Sequence, residues 1–126
     1  TYMSRILIIE DDAAIREMLS RRLALRGFTV EQAPTGEAGL AMIRASPPDV
    51  LLLDHGLPGI TGWDVARALR ADPATATLPI IALTAHAGEA SRKEALAAGC
   101  NVFLTKPVDM KALERELLQV AQGTGP

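Results

Sequence analysis

Carboxylates gather where apolar runs end. Glu10, Asp11 and Asp12 follow the run at 6–9, and Asp54 follows the run at 50–53. Thr84 follows the run at 80–83, and Thr105, Lys106 and Pro107 follow 102–104. Carboxylates brought together repel, and they raise one another's pKa unless a cation neutralises them. Every candidate ligand here is an oxygen, with no His or Cys cluster at zinc-like spacing, so a hard ion such as Mg²⁺ or Mn²⁺ is favoured over zinc. Mg²⁺ takes one or two carboxylates and otherwise keeps waters or binds phosphate oxygens. A lysine and a hydroxyl beside such an ion and a carboxylate supply charge neutralisation and in-line positioning, which is what phosphoryl transfer requires. Asp54 is the natural nucleophile of that set.

These groups act together only if the chain delivers them to one edge. Five short apolar segments, at 5–9, 29–32, 50–53, 80–83 and 102–104, read as strands. The first, third and fourth are almost wholly Ile, Leu and Val without polar alternation, as parallel strands covered on both faces should be. Apolar stripes through Ile15, Met18, Leu19 and Leu23, and through Ala38, Leu40, Ala41, Met42 and Ile43, place two helices between them. Further helices are expected over 62–71, 88–98 and 109–122, with Asp109 as an N-cap and Gly27, Gly99 and Gly123 as stops. Strands alternating with helices imply right-handed parallel crossovers and an open, doubly wound α/β sheet. Ligands of such sheets bind beyond the carboxyl ends of the strands, where these polar groups fall.

The 126 residues, 48% hydrophobic and 22% charged, suit one domain with a sizeable core. A net charge of -2 offers no basic stripe, so no direct nucleic-acid partner is expected. The apolar runs fall far short of the roughly 20 residues that cross a bilayer, so no membrane partner is expected either. One cysteine, Cys100, cannot form an internal disulfide and is expected to pack near the end of the fourth helix; a reducing, cytoplasmic setting is the simplest expectation. Residues 1–3 and 122–126 are expected to be tails or linker around a domain at 4–121.

Ile9-Glu10-Asp11-Asp12, Leu53-Asp54 with Leu57-Pro58-Gly59 and Gly62, Leu83-Thr84-Ala85, and Phe103-Leu104-Thr105-Lys106-Pro107 stand in an order and spacing that resembles the response-regulator receiver family. The resemblance covers nearly the whole chain. It implies a flavodoxin-like five-stranded parallel sheet of order 2-1-3-4-5 with five helices, serving a two-component or phosphorelay system. It further implies that Asp54 takes a phosphoryl group from the phosphohistidine of a sensor histidine kinase or histidine phosphotransfer protein. Asp11 would bind Mg²⁺ directly, Glu10 mainly through a metal-bound water, and Asp54 and the carbonyl of Gly56 would complete the set. Lys106 would neutralise Asp54 and then bind a phosphoryl oxygen, while Thr84 would move to bind another and Phe103 would change rotamer behind it. The surface of helix 4, strand 5 and helix 5 would then switch, and some family members dimerise through it. The peptide before Pro107 is expected to be cis, aiming Lys106. Gly56 and His86 occupy positions that tune how fast water removes the phosphoryl group. The chain would be a signalling switch with self-catalysed phosphorylation and dephosphorylation, not an enzyme acting on a separate substrate.

Other readings fit less. An FMN-binding protein of the same fold needs a Ser/Thr/Gly-rich phosphate loop after strand one, where Glu10, Asp11 and Asp12 would repel a phosphate. An aspartate-nucleophile phosphatase would carry its nucleophile and a second carboxylate two residues apart after strand one, and normally a cap insertion. A receiver-like module that only binds a partner would not need Asp54, Lys106 and Thr84 together. Asp12 reads best as the N-cap of the first helix. His55 and His86 flank the proposed site without a metal-ligand spacing. No helix-turn-helix or winged-helix pattern follows Gln122.

Overall fold

The computed structural model describes residues 4–123. Strands and helices alternate as β1 (Arg5–Ile9), α1 (Ala13–Leu25), β2 (Thr29–Ala33), α2 (Gly36–Ala45), β3 (Val50–Asp54), α3 (Gly62–Ala71), β4 (Ile80–Thr84), α4 (Glu89–Ala98), β5 (Val102–Thr105) and α5 (Met110–Gly123). The strands form one parallel sheet in the order β2-β1-β3-β4-β5, the topology expected. Sequential order reverses between β1 and β3, which opens a crevice at the carboxyl edge.

Side-chain alternation along the strands feeds two cores. Leu7, Ile9, Leu51, Leu53 and Ile80 point to one face and pack with Leu40, Ile43, Val65, Leu69 and Ala95 from α2, α3 and α4. Ile6, Ile8, Leu52, Ile81 and Leu83 point to the other and pack with Leu19 and Leu23 of α1 and Leu113 and Leu117 of α5. The near-continuous apolar runs of the central strands follow from this double burial. Among the described residues, no helix is long and apolar enough to cross a membrane.

Local signals fix the helix ends. The Asp12 carboxylate accepts from the N–H groups of Ala14 and Ile15, so Asp12 is the N-cap of α1. Thr61 and Asp64 form a reciprocal capping box at the start of α3. Asp109 accepts from the N–H groups of Lys111 and Ala112, as its N-cap reading required. Some expectations shift. β2, β3, β4 and β5 each run one residue further than their apolar patterns, to Ala33, Asp54, Thr84 and Thr105. Gly88 precedes α4 instead of opening it, and Gly123 is the last residue of α5 instead of standing outside it. Met18 of the expected α1 stripe is 40% exposed. Of the expected tails at 1–3 and 122–126, residues 1–3 and 124–126 lie outside the described residues, while 122 and 123 belong to the end of α5.

Candidate phosphoacceptor and metal site

Glu10 leaves β1 with its N–H bonded to the Ala33 carbonyl at 3.1 Å, which pins it to the end of β2. Its own carbonyl accepts from Arg16 Nη1 at 2.8 Å, so the first turn of α1 closes back on the strand end. Asp54 closes β3, paired in register with Leu83. The main chain is held from below as well: a side chain at Gly62 would collide with the Asp54 carbonyl, so only glycine allows α3 to start this close. Thr84 closes β4 opposite Thr105 of β5, and the Lys106 N–H bonds the Thr84 carbonyl at 2.7 Å.

The side chains converge in a cleft of about 280 Å³. Lys106 Nζ donates to Asp54 Oδ1 at 2.7 Å and to Glu10 Oε1 at 3.0 Å. Both carboxylates are almost fully buried, whereas Asp11 beside them is open to solvent. One ligand oxygen each from Glu10, Asp11 and Asp54 lies within 4.8 Å of the others. Burial pushes the Glu10 carboxyl up to about 7, against the Asp12 N–H and the Lys106 ammonium, which pull it down. Partial burial works against the Lys106 ammonium too, but its hydrogen bonds to Asp54 and Glu10 outweigh that and hold its pKa above the usual lysine value. Three carboxylates against one ammonium leave a net negative pocket lined by hard oxygens, a donor set that fits a divalent cation of the Mg²⁺ type.

Around this centre, Asp54 Oδ1 also accepts from the Gly56 N–H at 3.3 Å, and the buried Thr84 hydroxyl oxygen accepts from the His86 N–H at 3.1 Å. Gly56 and His86 both line the cleft and are exposed. The Lys106–Pro107 peptide is cis. Phe103 is half-buried against the α2/α3/α4 face of the sheet, in register with Ala82. The structure thus brings Glu10, Asp11, Asp54, Gly56, Thr84, His86 and Lys106 to one cleft, with Phe103 on the neighbouring strand.

Sequence reasoning passed over Arg16 here and noted His55 only as a flank of the site. Arg16 steadies Glu10 through its carbonyl and also donates to Gln32 at 3.1 Å, yet an arginine in a helix reads as a solvated side chain. His55 stacks on Trp63 with ring centroids 4.1 Å apart and 17° between planes. Its Nδ1 is buried without a hydrogen-bond partner among the described residues. Only its place directly after Asp54 signalled it.

The family model for the response regulator receiver domain matches residues 6–118. The chain is 38% identical over 96% of its length to the phosphate regulon transcriptional regulatory protein PhoB of Pseudomonas aeruginosa, and 41% identical over 86% to the response regulator MprA of Mycobacterium ulcerans. It covers 53% and 46% of those two proteins, so it spans about half the length of the curated relatives it matches. Among solved structures, the chemotaxis response regulator CheY4 of Vibrio cholerae superposes with a TM-score of 0.89 at 30% identity, covering 94% of this chain and 99% of that one.

Proposed function

The chain belongs to the response regulator receiver domain family, whose members accept phosphoryl groups in two-component signalling, and from that premise we propose that Asp54 is the phosphoacceptor of a unit spanning residues 4–121. The observation that carries this reading is the Lys106 ammonium held between the buried carboxylates of Asp54 and Glu10, with Asp11 open beside them. The donor is a phosphohistidine on a sensor histidine kinase or histidine phosphotransfer protein. An Asp54 carboxylate oxygen attacks phosphorus, the P–N bond breaks, and the departing imidazole nitrogen takes up a proton. The product is an aspartyl phosphate, and water attack later breaks the new P–O bond to return the carboxylate and inorganic phosphate.

Glu10, Asp11, Asp54 and the carbonyl of Gly56 would hold Mg²⁺, with Mn²⁺ as a substitute. When bound, the ion supplies positive charge to carboxylates and phosphoryl oxygens that would otherwise repel. Lys106 neutralises Asp54 before transfer and binds a phosphoryl oxygen after it. The Thr84 hydroxyl, now accepting from the His86 N–H, turns to donate to another. Phe103, half-buried one strand over, shifts with it and alters the α4, β5 and α5 surface, a population shift between two packings. The chain is therefore a signalling switch that catalyses its own phosphorylation and dephosphorylation.

Intact-mass spectrometry after incubation with acetyl phosphate, with and without Mg²⁺, tests the assignment. Wild type should gain one phosphoryl group only with Mg²⁺, and Asp54→Asn should gain none. A gain that persists in Asp54→Asn would place the acceptor elsewhere.

A further inference from the structure

The far end of α4, away from Asp54, is tied down by one guanidinium. Arg70 in the last turn of α3 donates through Nε to the Gly99 carbonyl at 2.9 Å, through Nη1 to the Thr75 carbonyl at 3.1 Å and through Nη2 to Asn101 Oδ1 at 2.9 Å. Asn101 Oδ1 also accepts from the Ile80 N–H at 2.8 Å, and the Asn101 N–H returns to the Ile80 carbonyl. Three receivers of that fork are thus fixed to the start of β4, the α3–β4 loop and the end of α4. Gly99 stands in the left-handed region at φ +111°, and the N–H groups of Gly99 and Cys100 cap the Leu96 and Ala95 carbonyls. A Cβ on Gly99 would strike the Arg70 stem, so stem and cap are already in close contact. The side chains that α4 buries, Ala95 and Ala98, also lie in this half.

Among the described residues, nothing comparable holds the other end. Gly88 precedes α4 at φ +118° with no side-chain cap bond and open space where a Cβ would stand. Residues 85–90 are all exposed, and the Glu89–Arg92 ion pair lies within the helix and in solvent. The free end is the one joined directly to Thr84. A helix held at one end and free at the other moves by tilting about the held end, since packed elements shift as bodies and the motion concentrates where constraints are few.

We propose that Arg70 is the pivot of α4: it clamps the Gly99 end, so that rearrangement at Thr84 swings the Glu89 end alone. This rests on the switching role proposed above and gives it a direction. Arg70 touches none of the reacting groups and acts as a positioning residue.

Amide hydrogen exchange on the full chain tests the pivot, in the apo state and after loading with Mg²⁺ and beryllofluoride as a phosphoryl mimic. In apo wild type, amides of the first half of α4 should exchange at least tenfold faster than those of residues 97–101. On loading, the change should fall on residues 85–92 and leave 97–101 as they were. Arg70→Met should erase the apo gradient and spread the loading response over 97–101, with acetyl-phosphate labelling of Asp54 unchanged. Arg70→Lys, which keeps the charge but not the three-way fork, should give an intermediate gradient and covers the case in which the methionine variant does not fold. A uniform response along α4 in wild type, or a variant gradient equal to wild type, overturns the pivot. Loading that changes no amide anywhere in the chain would overturn the switching role itself, while the apo gradient would still report the clamp separately.

Discussion

A Cβ built at Gly56 would lie 3.9 Å from both Asp54 carboxylate oxygens, so any larger side chain there would stand against the reacting group. Water reaches an aspartyl phosphate more easily past a glycine, unless the exposed His86 on the other rim shields it. Gly56→Asn should therefore slow phosphate release severalfold, and His86→Ala should speed it, as followed by inorganic phosphate production after labelling. Equal rates in all three proteins would remove the idea. Lys106 carries a second consequence. Its removal leaves Glu10 and Asp54 buried at 1% and 3% side-chain exposure without a counter-charge. Breaking a buried pair from one side costs roughly 3–5 kcal/mol. Lys106→Met should melt well below wild type in EDTA, and the gap should narrow when Mg²⁺ is added; equal melting temperatures in EDTA would show that the ammonium is not what balances these carboxylates. The charged members of the site were legible because their chemistry is unusual at strand ends. Arg16 was not, because its contribution runs through a main-chain carbonyl that no side-chain pattern encodes.

Strands β2 to β5 proved one residue longer than their apolar runs because the ladder of main-chain hydrogen bonds does not stop where hydrophobicity does. Asp54 still pairs with Leu83, and Thr84 with Thr105, so these two close their strands, whereas Glu10 and Lys106 stand one residue past theirs. Placement on strand termini gives the site its rigidity. Helix limits were legible where a cap residue was present, at Asp12 and Asp109, and blurred at Gly88, where no side chain caps the helix. The first helix buries only Leu19, Ser20 and Leu23, so its polar and apolar residues are poorly sorted, and Leu25 stands 81% exposed. Removing the cap of α3 by Thr61→Ala should cost about 1 kcal/mol in urea unfolding; no change in midpoint would mean that the tertiary packing of Trp63 and Val65 alone sets where α3 begins. Cys100, at the junction of α4 and β5, gives the element a pH signature. Burial pushes its thiol from an ordinary 9.0 up to about 11. The folded state therefore binds this proton more tightly than the unfolded chain, and stability present below pH 9 falls as pH rises from 9 towards 11. A Cys100→Ala variant should lose that part of the alkaline decline, and wild-type thiol should resist alkylation at pH 8 until denaturant is added.

At the scale of the whole molecule the sheet divides the core into two clusters that share a backbone but not side-chain neighbours. This architecture was the most legible feature of all, since three all-aliphatic runs alternating with helices leave few alternatives to a doubly wound sheet. The assignment of helices to faces was not legible, because periodicity says that a stripe is buried and not against which face. Thermodynamic coupling should follow that division. Ile8 and Leu52 are register partners on the α1/α5 face, whereas Ile43 belongs to the α2/α3/α4 face. Ile8→Val and Ile43→Val should each cost about 0.5–1.5 kcal/mol and Leu52→Ala about 2–5 kcal/mol. Across the sheet, Ile8→Val with Ile43→Val should be additive within about 0.5 kcal/mol, because the two sites share no partners. Within a face, Ile8→Val with Leu52→Ala should depart from additivity by more than that, since each truncation enlarges the space the other side chain can relax into. Urea unfolding of the three single and two double variants, with an unchanged slope as the check on two-state behaviour, measures both cycles. Strong coupling between Ile8 and Ile43 would mean that the sheet transmits packing strain from one face to the other. Switching at Thr84 would then have a route to α1 and α5 that does not pass through α4.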